Sequence, residues 1–191
     1  QGIIAAPFDT ELFGHWWYEG PDFLYYLFEK NNEEGQGLSF ITPSEYLEKY
    51  GKSQVSQPAF SSWGLGGYSE FWLNESNDWI YPHLSLACDE MVQAAQEQDR
   101  AREIPERAMN QAARELLLAQ ASDWAFMIKT GNHAGYAERR IKTHLSRLHQ
   151  LLDQVRRNRV DEKYLCDLEE KDNLFPLLDF RLYQPPEKQA P

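Results

Sequence analysis

The chain has 191 residues and a net charge of −11, with an isoelectric point near 4.9. That acidity repels polyanions and excludes nucleic acid as a partner. No run approaches the roughly 18 apolar residues a membrane helix needs, which excludes the membrane. Cys88 and Cys166 are far apart and lack CxxC spacing, so neither a zinc site nor a disulfide framework is indicated, and two unpaired cysteines suit a reducing cytoplasm.

The run Gly2-Ile3-Ile4-Ala5-Ala6 is short, apolar and partly β-branched, and predicts a buried strand. Gly20-Pro21 opens a helix, with proline in the first turn. Phe23, Leu24, Leu27 and Phe28 give that helix an apolar face. Thr42-Pro43-Ser44-Glu45 is a capping box before Tyr46, Leu47 and Tyr50. Gly51 to Pro58 is polar and reads as an exposed loop. No internal repeat is present.

From about residue 79 the pattern turns helical. Leu84, Ala87, Met91, Ala94 and Ala95 form one stripe, and Ala108, Ala112, Leu116 and Ala119 another. Ile141, Leu145, Leu148, Leu152 and Val155 form a third. Such stripes predict antiparallel helices packed as a bundle. The charged segment Gln96 to Arg107 is expected to fray or turn, with Pro105 near a helix start. Val160 to Asn173 reads as one more short helix, and the Pro-rich tail from Gln184 as mobile.

The stretch Ala6 to Pro21 carries the chemistry. It sets Asp9, Glu11 and His15 beside Trp16, Trp17 and Tyr18. Carboxylates next to indoles are poorly solvated, and that favours a general acid. Aromatic faces also suit the apolar faces of a sugar ring. Asp9 falls just past the carboxyl end of the expected strand, where parallel α/β sheets and barrels place reactive groups. In an extended chain Asp9 and Glu11 point the same way, roughly 6.5 Å apart at about 3.3 Å per residue. Retaining glycoside cleavage needs two carboxyl groups about 5–5.5 Å apart. Asp9 and Glu11 are one candidate pair; one of them acting with a carboxylate elsewhere is the other. The plain alternative is a turn aspartate capping a helix beside a solvated glutamate.

A second cluster, Ser61 to Asn74, is a Gly-rich loop with Trp63 and Trp72 nine residues apart, followed by Asn77-Asp78-Trp79. Gly64, Gly66 and Gly67 permit positive φ and close approach of the backbone to a ligand. The loop lacks the GK[ST] ending of a phosphate loop. Loop tryptophans also commonly serve as core plugs.

These two clusters resemble the fourth and fifth sequence regions of glycoside hydrolase family 57, above all its 1,4-α-glucan branching enzymes and related α-amylase-like members. The likeness runs on into Asn110 to Gln120 and Ser122 to Phe126, and covers about residues 1–180. It is to the C-terminal portion of such enzymes only. It implies an α/β segment leading into a mainly α one: residues 1–78 as the last strands of a (β/α)7-type barrel with active-site loops, residues 79–183 as a helical bundle domain, and 184–191 as a tail.

The resemblance also implies roles. Asp9 matches the acid/base aspartate, Trp63 and Trp72 match aromatics lining a glucan cleft, and Asp123 matches a substrate-binding aspartate. Asn132 stands where such enzymes carry glutamine, so its amide reaches sugar hydroxyls from a shorter arm. Leu65 stands at a variable position. The glutamate nucleophile and a His-x-His segment are not in these residues. The expectation is therefore a piece of a longer enzyme, inactive alone, whose partners are an α-glucan and the preceding part of the same protein. His15 is a candidate for a sugar hydroxyl or for Asp9; His83 reads as structural, and His133 as near the cleft. His144 and His149 are expected to be partly exposed on a long helix. No histidine sits at ligand spacing with a carboxylate, so no metal and no cofactor are expected. An α-amylase, a 4-α-glucanotransferase, a non-catalytic glucan-binding module and a purely structural helical domain remain the alternatives.

Overall fold

The computed structural model describes residues 3–34, 37–52, 54–97 and 103–184. The chain separates into two compact units, Gln1–Pro58 and Ala59–Pro191. This division differs from the expected boundary at residue 78. Residues 98–102, within the charged segment expected to fray or turn, and the tail beyond Gln184 lie outside the described residues.

The first unit has no β-strand among its described residues. Residues 3–9 carry no ladder, and Ile4 is 92% exposed. The expected strand is therefore not formed among the described residues. A strand exists only by pairing, and among the described residues no segment forms a ladder with this one. What forms instead is a 3-10 turn, Thr10–Leu12, and an isolated bridge between Phe13 and Trp17. Two helices follow, α1 (Gly20–Glu34) and α2 (Pro43–Tyr50). α1 starts at the predicted Gly-Pro. Gly20 is buried against Phe13, and a Cβ there would lie 2.7 Å from the Phe13 Cα. The apolar face of α1 is not covered: Phe23 and Phe28 are 46% and 45% exposed. α2 has the predicted capping box, with the Glu45 backbone N–H donating to Thr42 Oγ1 and the Thr42 backbone N–H donating to Glu45 at 2.9 Å. Residues 51–58 form the expected exposed loop, apart from Ser53, which lies outside the described residues.

The second unit is a helical bundle built as the stripes predict. It contains α3 (Ile80–Glu97), α4 (Glu103–Ala119), α5 (Asp123–Thr130), α6 (Ala134–Arg156) and α7 (Glu162–Lys171). α4 sits at its centre, and its largest interface is with α6. Ala108, Ala112, Ala113 and Ala119 keep the α4 surface low, so α6 packs close with Ile141, Leu148, Leu151 and Leu152 fully buried. Burying each Leu or Ile side chain contributes about 1.5–3 kcal/mol. Ala87 and Met91 of α3 and Leu165 of α7 close the core. α7 is capped by Asp161, which accepts from the Tyr164 backbone N–H at 3.1 Å.

One part of this core is polar, and the sequence reading missed it. His144 is fully buried, not partly exposed as expected; His149, on the same helix, is partly exposed and pairs with Glu90 at 2.9 Å. His144 Nδ1 meets Glu115 Oε2 at 2.6 Å, while its Nε2 has no hydrogen-bonding partner. Gln111 donates to the other Glu115 oxygen at 2.9 Å. Arg147 pairs with Asp172 and lies 3.8 Å from Glu115. Buried charges persist when paired and hydrogen-bonded, and this cluster ties α4, α6 and the end of α7 together.

Candidate functional site

The Gly-rich loop between Ser61 and Trp79 packs against α5 within the second unit. Ser62 N–H donates to the Gly67 carbonyl at 2.6 Å and closes the turn. Gly64, Gly66 and Gly67 all have positive φ, as their residue type anticipates. At Gly64 the requirement is also steric, since a Cβ would come within 2.2 Å of the Phe71 ring. Glycine there lets Phe71 fold under the loop. Trp63, Phe71 and Trp72 then pack as one aromatic cluster with Phe126 of α5. Trp63 and Trp72 meet edge to face with centroids 5.8 Å apart, and Phe71 and Phe126 lie 5.0 Å apart. Trp63 also contacts Phe126, at 6.1 Å, yet remains 60% exposed. So Trp63 is no core plug: one side of its indole is packed and the other presented.

Two polar contacts fasten the loop to α5. Asn77 is fully buried; its amide donates to the Phe71 carbonyl at 2.9 Å and to the Ala125 carbonyl at 3.1 Å, and its oxygen accepts from the Asn74 backbone N–H at 2.9 Å. Lys129 pairs with Glu70 at 2.6 Å. A polar recess of ≈ 480 Å³ opens beside that pair, lined also by Asn74, Glu75 and Ser76.

Asp9 lies in the first unit, at the N-cap of the Thr10–Leu12 turn, and its side chain makes no capping hydrogen bond. Residues 8–11 are therefore not extended, and Asp9 and Glu11 do not share the face of a strand. The plain capping role is not filled either, so the Asp9 carboxylate is exposed and uncommitted. Glu11 and His15 are exposed as well. The His15 backbone N–H donates to the Glu11 carbonyl at 3.2 Å, and its ring packs edge-on against Trp16. Trp17 packs on Phe23 with centroids 4.9 Å apart, whereas Trp16 is 74% exposed.

Asp123 opens α5 and Asn132 follows its C-cap, Gly131. Both are exposed, Asp123 in the first turn of α5 and Asn132 beyond its other end. The structure brings Trp63 and Trp72 together and sets Asp123 and Asn132 at opposite ends of α5. His83 packs near Trp79 within the first turn of α3, and His133 is the exposed, left-handed residue before α6.

Phe126 and Asn77 were not singled out from the sequence. Both lie inside the quoted motifs, but their partners are 48 to 63 residues away in the chain. Glu115, His144 and Asp172 were missed for the same reason. Their ligand-type atoms all lie within 4.8 Å of one another, which no local spacing reveals. The Arg147 guanidinium already sits on this cluster and supplies the positive charge a cation would bring. Among the described residues no helix is long and apolar enough to cross a membrane.

Comparison with known proteins places these features. A family model described as 1,4-alpha-glucan branching enzyme, C-terminal, matches residues 83–183. The chain is 40% identical over 181 residues to the 1,4-alpha-glucan branching enzyme of Thermococcus kodakarensis, covering 92% of this chain and 26% of that enzyme. The crystal structure of that glycoside hydrolase family 57 enzyme superposes with a TM-score of 0.82 at 38% identity, over 97% of this chain and 34% of that one. An α-amylase of Thermotoga maritima gives a TM-score of 0.71 at 41% identity, over 93% of this chain and 32% of that one. The chain therefore spans about a quarter to a third of the length of these relatives. Its sequence and its helical bundle together make it a member of glycoside hydrolase family 57, corresponding to the C-terminal portion of the family's 1,4-α-glucan branching enzymes.

Proposed function

We propose that this chain is the C-terminal part of a retaining 1,4-α-glucan branching enzyme, which cuts an α-1,4 linkage and transfers the freed segment to a 6-hydroxyl. The observation that carries the reading is the packed, outward-facing aromatic cluster of Trp63, Phe71, Trp72 and Phe126. Aromatic faces that are held rigid and left half open suit the C–H faces of glucose rings.

In this reading residues 1–78 complete a (β/α)7-type barrel whose other strands come from the preceding part of the protein. The apolar, unpaired segment from Ile3 to Phe8 is what such a strand looks like without its neighbours. A glutamate from that preceding part attacks the anomeric carbon. Asp9, uncommitted at its N-cap position, protonates the leaving oxygen and then takes the proton of the incoming hydroxyl. His15 donates to a sugar hydroxyl. Trp63 and Trp72 stack on the glucan and keep water from the intermediate, so a sugar hydroxyl rather than water completes the reaction. Asp123 and Asn132, at opposite ends of α5, bind separate sugars. Without the glutamate the chain alone does not turn over.

The likeness to an α-amylase supports a second reading, hydrolysis without transfer. Product analysis separates the two. Amylose is incubated with the complete enzyme, and its linkages are counted by debranching and chain sizing. New α-1,6 branches support the proposal; shortened, unbranched α-1,4 chains support the amylase.

A further inference from the structure

On the bundle side of Trp72 lies a cavity of ≈ 170 Å³ that none of these roles uses. Its walls are Trp72, Tyr81, Trp124 and Leu84, and its rim carries Gln120 and Ser122 from the turn joining α4 to α5. We infer that this slot is a further glucosyl-binding subsite, taking one sugar ring of a glucan chain that also contacts the aromatic cluster. The inference rests on the glucan-active reading above and adds a place on the protein to it.

Size is the first argument. At about 30 Å³ per water the slot holds roughly six waters, enough for one pyranose and too little for two. Rigidity is the second. The Tyr81 hydroxyl donates to the Trp72 carbonyl, and Trp124 Nε1 donates to the Leu118 carbonyl at 2.8 Å. Tyr81 and Trp124 are therefore fixed before any ligand arrives, and little side-chain order is lost on binding.

Charge is the third argument. Among the described residues no Asp, Glu, Lys, Arg or His lines the cavity, so an ionic ligand finds no counterion there, whereas a neutral ring with apolar C–H faces does well against indoles. Free polar groups are the fourth. Ser122 stands at the N-cap of α5 but its side chain does not cap the helix. Gln120 donates its amide to Cys88 at 3.1 Å and keeps its carbonyl oxygen to accept. Two such groups at the rim suit sugar hydroxyls. Continuity is the last argument: Trp72 is both a wall of this slot and a member of the cluster with Trp63, and Ser122 directly precedes Asp123.

The test uses the complete enzyme with amylose as substrate. Ser122→Tyr places a ring in the mouth of the slot from an exposed position, and Gln120→Ala removes the rim acceptor. Each should raise KM for amylose about fivefold to tenfold, the scale of one lost hydrogen bond or stacked ring. kcat should stay within about twofold, because no reacting atom is touched, and the melting temperature of Ser122→Tyr should not move. Maltose soaked into crystals should appear in the slot of the wild type and not of Ser122→Tyr. Wild-type KM in both variants, or maltose found only elsewhere, overturns the subsite while leaving the glucan reading intact. A wild-type enzyme that neither binds nor converts amylose overturns the glucan reading itself.

Discussion

Replacing Asn77 tests how the aromatic cluster is held. The residue is fully buried and makes three hydrogen bonds, to the Phe71 and Ala125 carbonyls and from the Asn74 N–H. In Asn77→Ala all three partners lose it. At about 1 kcal/mol for each, the variant should be destabilised by about 3 kcal/mol. Asn77→Asp keeps the acceptor for Asn74 but turns two donated bonds into oxygen facing oxygen, and buries an unpaired charge, so it should cost at least as much. Equilibrium denaturant unfolding of the complete protein, followed by tryptophan emission, measures both. The cluster should also loosen, because the same residue joins the loop carrying Phe71 to the helix carrying Phe126. KM for amylose should rise in parallel. A loss below about 1 kcal/mol in both variants would show that the loop is held by its ring contacts and not by this side chain.

Two further outcomes follow from the same geometry. Trp63→Ala removes the most exposed ring of the cluster and should raise the ratio of hydrolysis to transfer, read by comparing reducing ends with new branches; an unaltered ratio would make the indole a packing element only. At the start of α2, the Thr42 backbone N–H and hydroxyl donate to the Glu45 carboxylate at 2.9 and 2.8 Å and hold its pKa below the ordinary carboxylate value. Because the folded value is the lower one, this contribution to stability is present above the ordinary range and is lost as pH falls through the folded value. In Thr42→Ala the hydroxyl donor is lost while the backbone N–H of residue 42 stays, so the Glu45 midpoint should rise only part of the way toward the ordinary range, measured by carboxyl-carbon NMR, and an unmoved midpoint would contradict the hydroxyl's share in the capping box.

Much of the bundle was legible from periodicity. Ala87 and Met91, Ala108 and Leu116, and Ile141 and Leu148 all point inward as their spacing says, because a helical stripe is a local property of the chain. The Thr42–Glu45 box was legible for the same reason. The buried His144 was not. It sits between apolar positions on α6 and is held by Glu115 of another helix, and pairing across helices leaves no trace in local spacing. The strand at Ile3 to Ala6 was read from composition, but a strand also needs a partner, and none lies within the described residues. At the site, Trp63 and Trp72 were legible as residue types in a Gly-rich loop. Phe126 and Asn77 complete the cluster only because α5 folds back onto that loop. The extended geometry assumed for Asp9 and Glu11 failed because the chain turns at Thr10.

The proposed acid/base role of Asp9 is that its carboxyl moves the proton in glucan cleavage. Its most direct measurement is turnover and amylose binding by Asp9→Asn in the complete enzyme. Turnover should fall by about a hundredfold or more, the scale of a lost general acid, while the Kd for amylose stays near that of the wild type. Undiminished turnover, or a loss fully explained by weaker binding, would contradict it.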